Sequence, residues 1–111
     1  MAGLIQLKEH QWSVAGWVFD HVLRLARLHL PAESSSRILE HMDEAATGLN
    51  YISLDDLSLA ELSTFRQALE QAYLAVEREG SSSFSTPEFY DGFMKRFDEL
   101  LQMIRLATDD A

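Results

Sequence analysis

The chain has 111 residues, 47% hydrophobic and 24% charged, with 18 acidic against 9 basic side chains and a formal net charge of −9. That length fits one domain around one core, and the composition is that of an ordered globular protein. The lack of cysteine excludes disulfides, thiolate metal sites and cysteine nucleophiles, while the acidity disfavours nucleic acid and anionic membrane as partners.

The charge is unevenly spread: about +1 over residues 1–32, −6 over 33–61 and −4 over 62–111. Between Arg37 and Arg66 stand six acids (Glu40, Asp43, Glu44, Asp55, Asp56, Glu61) and no lysine or arginine. Such a one-signed stretch attracts basic surfaces and raises association rates with them.

Near the start, Lys8, Glu9, His10 and Gln11 interrupt the apolar run, so no secretory leader is expected and a cytoplasmic location is inferred. Residues 14–30 carry Asp20, His21, Arg24, Arg27 and His29, too polar for a membrane span. Ser13 is placed to cap a first helix over about 13–29, with Val14, Val18, Val22 and Leu25 on one face and Phe19, Leu23, Ala26 and Leu30 beside it. Adding Trp17 and Leu28 widens the apolar arc until only Asp20, Arg24 and Arg27 remain polar, which predicts a central helix.

Pro31 ends that helix, and the serines at 34–36 offer caps for a second over about 34–47, whose inner row would be Ile38, Met42, Ala45 and Leu49. A third helix, 59–79, has the clearest start: Ser58 and Glu61 form a capping box, Leu57 and Leu62 a hydrophobic staple, and Gly80 a C-terminal stop. Thr86 and Pro87 read as N-cap and first residue of a fourth, 87–106, with Phe89, Phe93, Phe97, Leu100, Leu101 and Ile104 as its apolar stripe. The expected fold is therefore all-α, a single-domain antiparallel four-helix bundle over 1–111. Two short stretches, 4–7 and 51–54, resist a helical assignment and are candidates for a minor β ribbon.

No pattern of catalytic residues emerges. There is no HExxH and no repeated ExxH pair; His41 has Glu40 and Glu44 near it in sequence, but a solvated helix face accounts for all three. Asp55 and Asp56 lack calcium-loop spacing, no GxSxG surrounds any serine, and five scattered glycines cannot build a phosphate loop. No enzyme, cofactor or metal is expected.

What remains suits partner binding. Asp43, Glu44, Tyr51, Asp55, Asp56 and Glu61 are the candidate surface for a basic protein, with Tyr51 either an aromatic anchor or, like Ile52, part of the core. Phe84 is expected to tuck over the bundle end, and one of Trp12 and Trp17, five apart, to reach the surface. The wide apolar arc of the first helix leaves a second option, a self-assembling protein with a homodimer interface on that helix.

The segments SLDDLSLAELSTFRQALEQAY and PEFYDGFMKRFDELLQMI, within residues 53–106, make this acidic, cysteine-free chain look like the small helical immunity proteins of bacterial polymorphic or contact-dependent toxin systems. The resemblance is one of style and carries over no functional residue. It implies a tight complex with one cognate toxin domain, often a basic nuclease, and no catalytic group.

Overall fold

The computed structural model describes residues 2–31, 36–45, 47, 50–84 and 86–109. Within these, the order is β1 (Ala2–Leu7), β2 (His10–Ala15), α1 (Gly16–Leu28), α2 (Ser36–Glu44), β3 (Tyr51–Ser53), α3 (Leu59–Glu79) and α4 (Phe89–Asp109). The strands form a mixed three-stranded sheet in the order β2-β1-β3, with β1 antiparallel to β2 and parallel to β3. The fold is thus α+β, which corrects the expectation of an all-α four-helix bundle.

The sheet follows from a period-two pattern at the N-terminus. Gly3, Ile5 and Leu7 on β1 and Trp12 and Val14 on β2 are buried, and the register Gly3↔Val14 and Ile5↔Trp12 puts them on one inner face, joined by Ile52 opposite Ile5 on β3. Lys8, at φ 56°, makes the tight turn of the β1–β2 hairpin. The two expected extended stretches do pair: the Leu4 amide donates to the Asn50 carbonyl at 2.9 Å and the Leu54 amide to the Gln6 carbonyl at 2.8 Å.

Because β2 claims Ser13 and Val14, α1 begins at Gly16 instead of at a Ser13 cap. Its buried row is Val18, Phe19, Val22, Leu23 and Ala26, whereas Trp17 and Leu28 are exposed, so the apolar arc is narrower than the sequence suggests. Gly3 lets β1 lie directly on α1: a Cβ there would stand 2.2 Å from the Phe19 ring.

On α2, Ile38 and Met42 are buried, as is Ala45 beyond it; residues 34, 35 and 46 of the expected second helix, and position 49 of its inner row, lie outside the described residues. The third helix has the expected bounds. Ser58 Oγ accepts from the Glu61 amide at 3.1 Å and the Glu61 carboxylate accepts from the Ser58 amide at 2.8 Å, with Leu57 and Leu62 both buried beside them. At its end Gly80 takes φ 71°, the left-handed conformation glycine adopts at least cost.

The fourth helix starts at Phe89, two residues later than expected. Thr86 and Pro87 form a turn whose carbonyls accept from the Phe89 and Tyr90 amides. Phe93, Phe97, Leu100, Leu101 and Ile104 are buried as expected, but Phe89 is 55% exposed. Helices α1, α3 and α4 pack on one another, and α1 and α4 also pack on β1 and β2 of the sheet. The Trp12 indole N–H ties β2 to α4 by donating to the Arg96 carbonyl at 2.7 Å. Phe84 tucks in as expected, 5.2 Å from Phe93 and 5.7 Å from Tyr90 between ring centroids. No helix among the described residues is long and apolar enough to cross a membrane.

Candidate protein-binding surface

The six sequence-predicted residues fall at the end of α2, on β3 and in the turn into α3, along the β3 side of the sheet. Their local partners differ from what an uncompensated acidic stretch would give. Asp43 pairs with Arg27 of α1 at 2.8 Å. Asp55 accepts the backbone N–H of Lys8, fastening the hairpin turn to the start of α3. Asp56 Oδ1 meets His41 Nε2 at 2.9 Å, and its carbonyl accepts from Arg37 Nη1 at 3.0 Å.

Arg37 also lies 3.9 Å from the Glu61 carboxylate, so Arg37, His41, Asp56 and Glu61 form one polar network linking α2 to the N-terminus of α3. The hydrogen bond from His41 chiefly holds the Asp56 carboxyl below its ordinary range. The Ser58 amide, donating to Glu61, does the same for that carboxyl, with Arg37 adding to it. These acids stabilise helix starts and turns before they meet any partner. The ion pairs among them are exposed, and solvent screening leaves each only a small net contribution.

Glu44 is exposed at the end of α2, where its carbonyl accepts from the Thr47 hydroxyl at 2.6 Å. Tyr51 is 42% exposed on the outer face of the sheet, its hydroxyl donating to Gln6 Oε1 at 2.9 Å, while the neighbouring Ile52 is buried. Tyr51 thus lies at the surface and Ile52 in the core. His41 turns to Asp56, away from a cluster with Glu40 and Glu44. Among the described residues, no three histidines, aspartates or glutamates converge where they could hold a metal ion.

The opposite edge of the sheet carries a feature that charge counting does not reveal. Trp17 on α1 is 48% exposed; its ring stacks on Phe93 at 6.0 Å and meets Phe89 at a tilt, 5.8 Å away. Behind them His21 meets the Phe93 ring edge-on at 4.9 Å, and burial pushes its pKa down, with Arg24 adding to the effect. Helical spacing puts Phe89 in the buried stripe, and it shares that face with Phe93, but as the first residue of α4 it stands at the end of the helix and is exposed. The signal that could have found this edge was the strand alternation of Trp12 and Val14.

Geometry and chemistry together define a small acidic α+β domain with polar and aromatic surfaces at the two edges of one sheet. No family profile and no curated protein matches the chain. Among solved structures, it is similar to a chain in the complex of the CdiA-CT toxin from Burkholderia pseudomallei E479 with its cognate CdiI immunity protein. The TM-score is 0.71 over 94% of each chain, at 19% sequence identity. At that identity the likeness shows a shared fold over nearly the whole chain.

Proposed function

We propose that this chain is an immunity-type inhibitor, a protein of a toxin system that neutralises a cognate basic toxin or effector domain by binding it tightly. The observation that carries the proposal is the fold likeness to a chain of a toxin–immunity complex, extending over 94% of both chains. The net charge of −9 then favours the inhibitor role, since a surface that must hold phosphates is basic and one that must cover a basic domain is acidic.

In this proposal the docking face includes Asp43, Glu44, Tyr51, Asp55, Asp56 and Glu61, with Tyr51 as the aromatic anchor and Glu44 as the most available carboxylate. The inhibitor works in the cytoplasm, needs no cofactor and performs no reaction. Self-assembly through the first helix is disfavoured, because Val18, Val22 and Ala26 of that helix are already buried within the chain.

A second reading rests on the same likeness: the neighbouring structure holds both a toxin and its immunity protein, so the chain could correspond to the toxin. Growth separates the two. Expressed alone, the inhibitor leaves bacterial growth unchanged, and co-expression restores growth to cells carrying the basic protein that copurifies with it. Growth arrest by this chain alone would make it the toxin and overturn the proposal.

A further inference from the structure

Between the outer edge of β2 and helix α4 runs an open trough made of two adjoining hollows of about 530 and 550 Å³, which share Ser13, Val14 and Arg96 in their walls. One end is aromatic, formed by Trp17, Phe89 and Phe93 with Glu88 at the rim. The other end is lined by Asp98, Glu99, Gln102 and Leu106. Trp17, Phe89 and Leu106 are three of the seven large hydrophobic side chains that stand exposed among the described residues, and all three border this one trough. An exposed aromatic pair at one end of an open groove is the kind of apolar surface that marks an interaction site.

Its electrostatics select the occupant. Three carboxylates (Glu88, Asp98, Glu99) face one guanidinium, Arg96, which Glu99 already holds through contacts of 2.8 and 3.2 Å. The trough thus offers aromatic faces and uncancelled negative charge, the combination that receives arginine or lysine by stacking and ion pairing together. A second copy of this chain would bring the same carboxylates and the same overall charge of −9 against them. An anionic lipid surface is repelled for the same reason.

We propose that this trough binds a basic segment of a partner protein, seating an apolar side chain over Trp17 and Phe89 and cationic side chains against Glu88 and Asp98. It is separate from the Asp43–Glu61 face: β2 and β3 are the two outer strands of the sheet, with β1 between them. The inference rests on the view of the chain as a protein-binding module, not on the partner's being a toxin.

The test is an NMR titration of the full isotope-labelled chain with a nonapeptide that alternates arginine and leucine and ends in tryptophan. A control peptide carries glutamate for every arginine. Saturable shifts at Ser13, Trp17, Gly92 and Glu99 with the basic peptide, and none with the control, are expected. Glu88→Lys, which alters an exposed residue, and Trp17→Ala should each weaken binding by about fivefold to tenfold, and Glu40→Lys, at an exposed position of α2 outside both surfaces, should leave it unchanged.

Equal binding of the acidic control, shifts confined to the α2–β3 edge, absence of saturable binding, or concentration-dependent dimerisation through the trough would each overturn the proposal. The growth assay reads toxin neutralisation and the titration reads the trough. Failure of the inhibitor proposal is therefore distinguishable from failure of this one.

Discussion

The two edges of the sheet invert what the sequence emphasises. The β3 edge holds the densest acidity in the chain, yet Asp43, Asp55, Asp56 and Glu61 are each occupied by a partner within the protein. The β2 edge has little to mark it in a charge count, yet there Trp17, Phe89 and Leu106 stand exposed beside carboxylates. The difference separates the quantity of charge from its availability. A carboxylate that caps a helix or fastens a turn has its lone pairs engaged, and recruiting it to an interface forfeits part of its folding contribution.

The largest expected effect comes from removing the support common to both edges. Gly3→Ala on the central strand drives a Cβ into the Phe19 side chain and should lower unfolding stability by about 1–3 kcal/mol, read as a reduced urea midpoint. An unchanged midpoint would mean that β1 can lift from α1 freely.

Next come the acids of the β3 edge. Asp55→Ala leaves the Lys8 amide without its acceptor in a turn where a non-glycine residue already sits at positive φ, and a loss of about 1–2 kcal/mol is expected. Ser58→Ala should cost about 1 kcal/mol by opening the capping box of α3. Were both variants as stable as the parent, the acids would be free for a partner and the contrast between the edges would collapse. Charge reversal at Asp55 and Asp56 is consequently a poor probe of binding alone, and Glu44→Lys is the cleaner one.

The smallest effect is a two-stage response to acid. His21 has a folded pKa below its ordinary 6.5, so the unfolded chain takes the proton first. Stability at the aromatic edge is complete above pH 6.5 and declines as pH falls below it. Asp56 and Glu61 are depressed from ordinary values of 3.8 and 4.5, so their contribution is present above those values and is lost as pH falls through the lower, folded ones. Thermal midpoints of the parent and of His21→Gln, scanned from pH 7.5 to pH 3, should differ in slope near pH 6 and run parallel near pH 4; identical slopes near pH 6 would place His21 in a solvated setting.

How legible these features were depended on the range of the interactions that make them. Helix α3 could be read to the residue because Ser58, Glu61 and Gly80 act within a turn of their own positions. The hairpin could not. Its turn uses Lys8 and Glu9, without the Asn-Gly signal that marks such loops, and Val14 lies at helical spacing from Val18 and Val22 although it belongs to β2. The short parallel pairing of β1 with β3 was visible only as two stretches that did not fit a helix. The acids of the candidate surface could be counted, but the Lys8–Asp55 contact joins residues 47 apart, and no local pattern announces it. Phe89 shows the converse, since the helical stripe is correct but its first member stands at the very end of α4 and is exposed.

Affinity capture of the intact protein from its native cells, eluted at low and at high salt with mass spectrometry of both fractions, tests the central claim most directly. The inhibitor account predicts one basic protein, recovered in equal amount to the bait and released more readily as salt screens the opposing charges. Recovery of the bait alone, or of a companion whose retention is indifferent to salt, would contradict it.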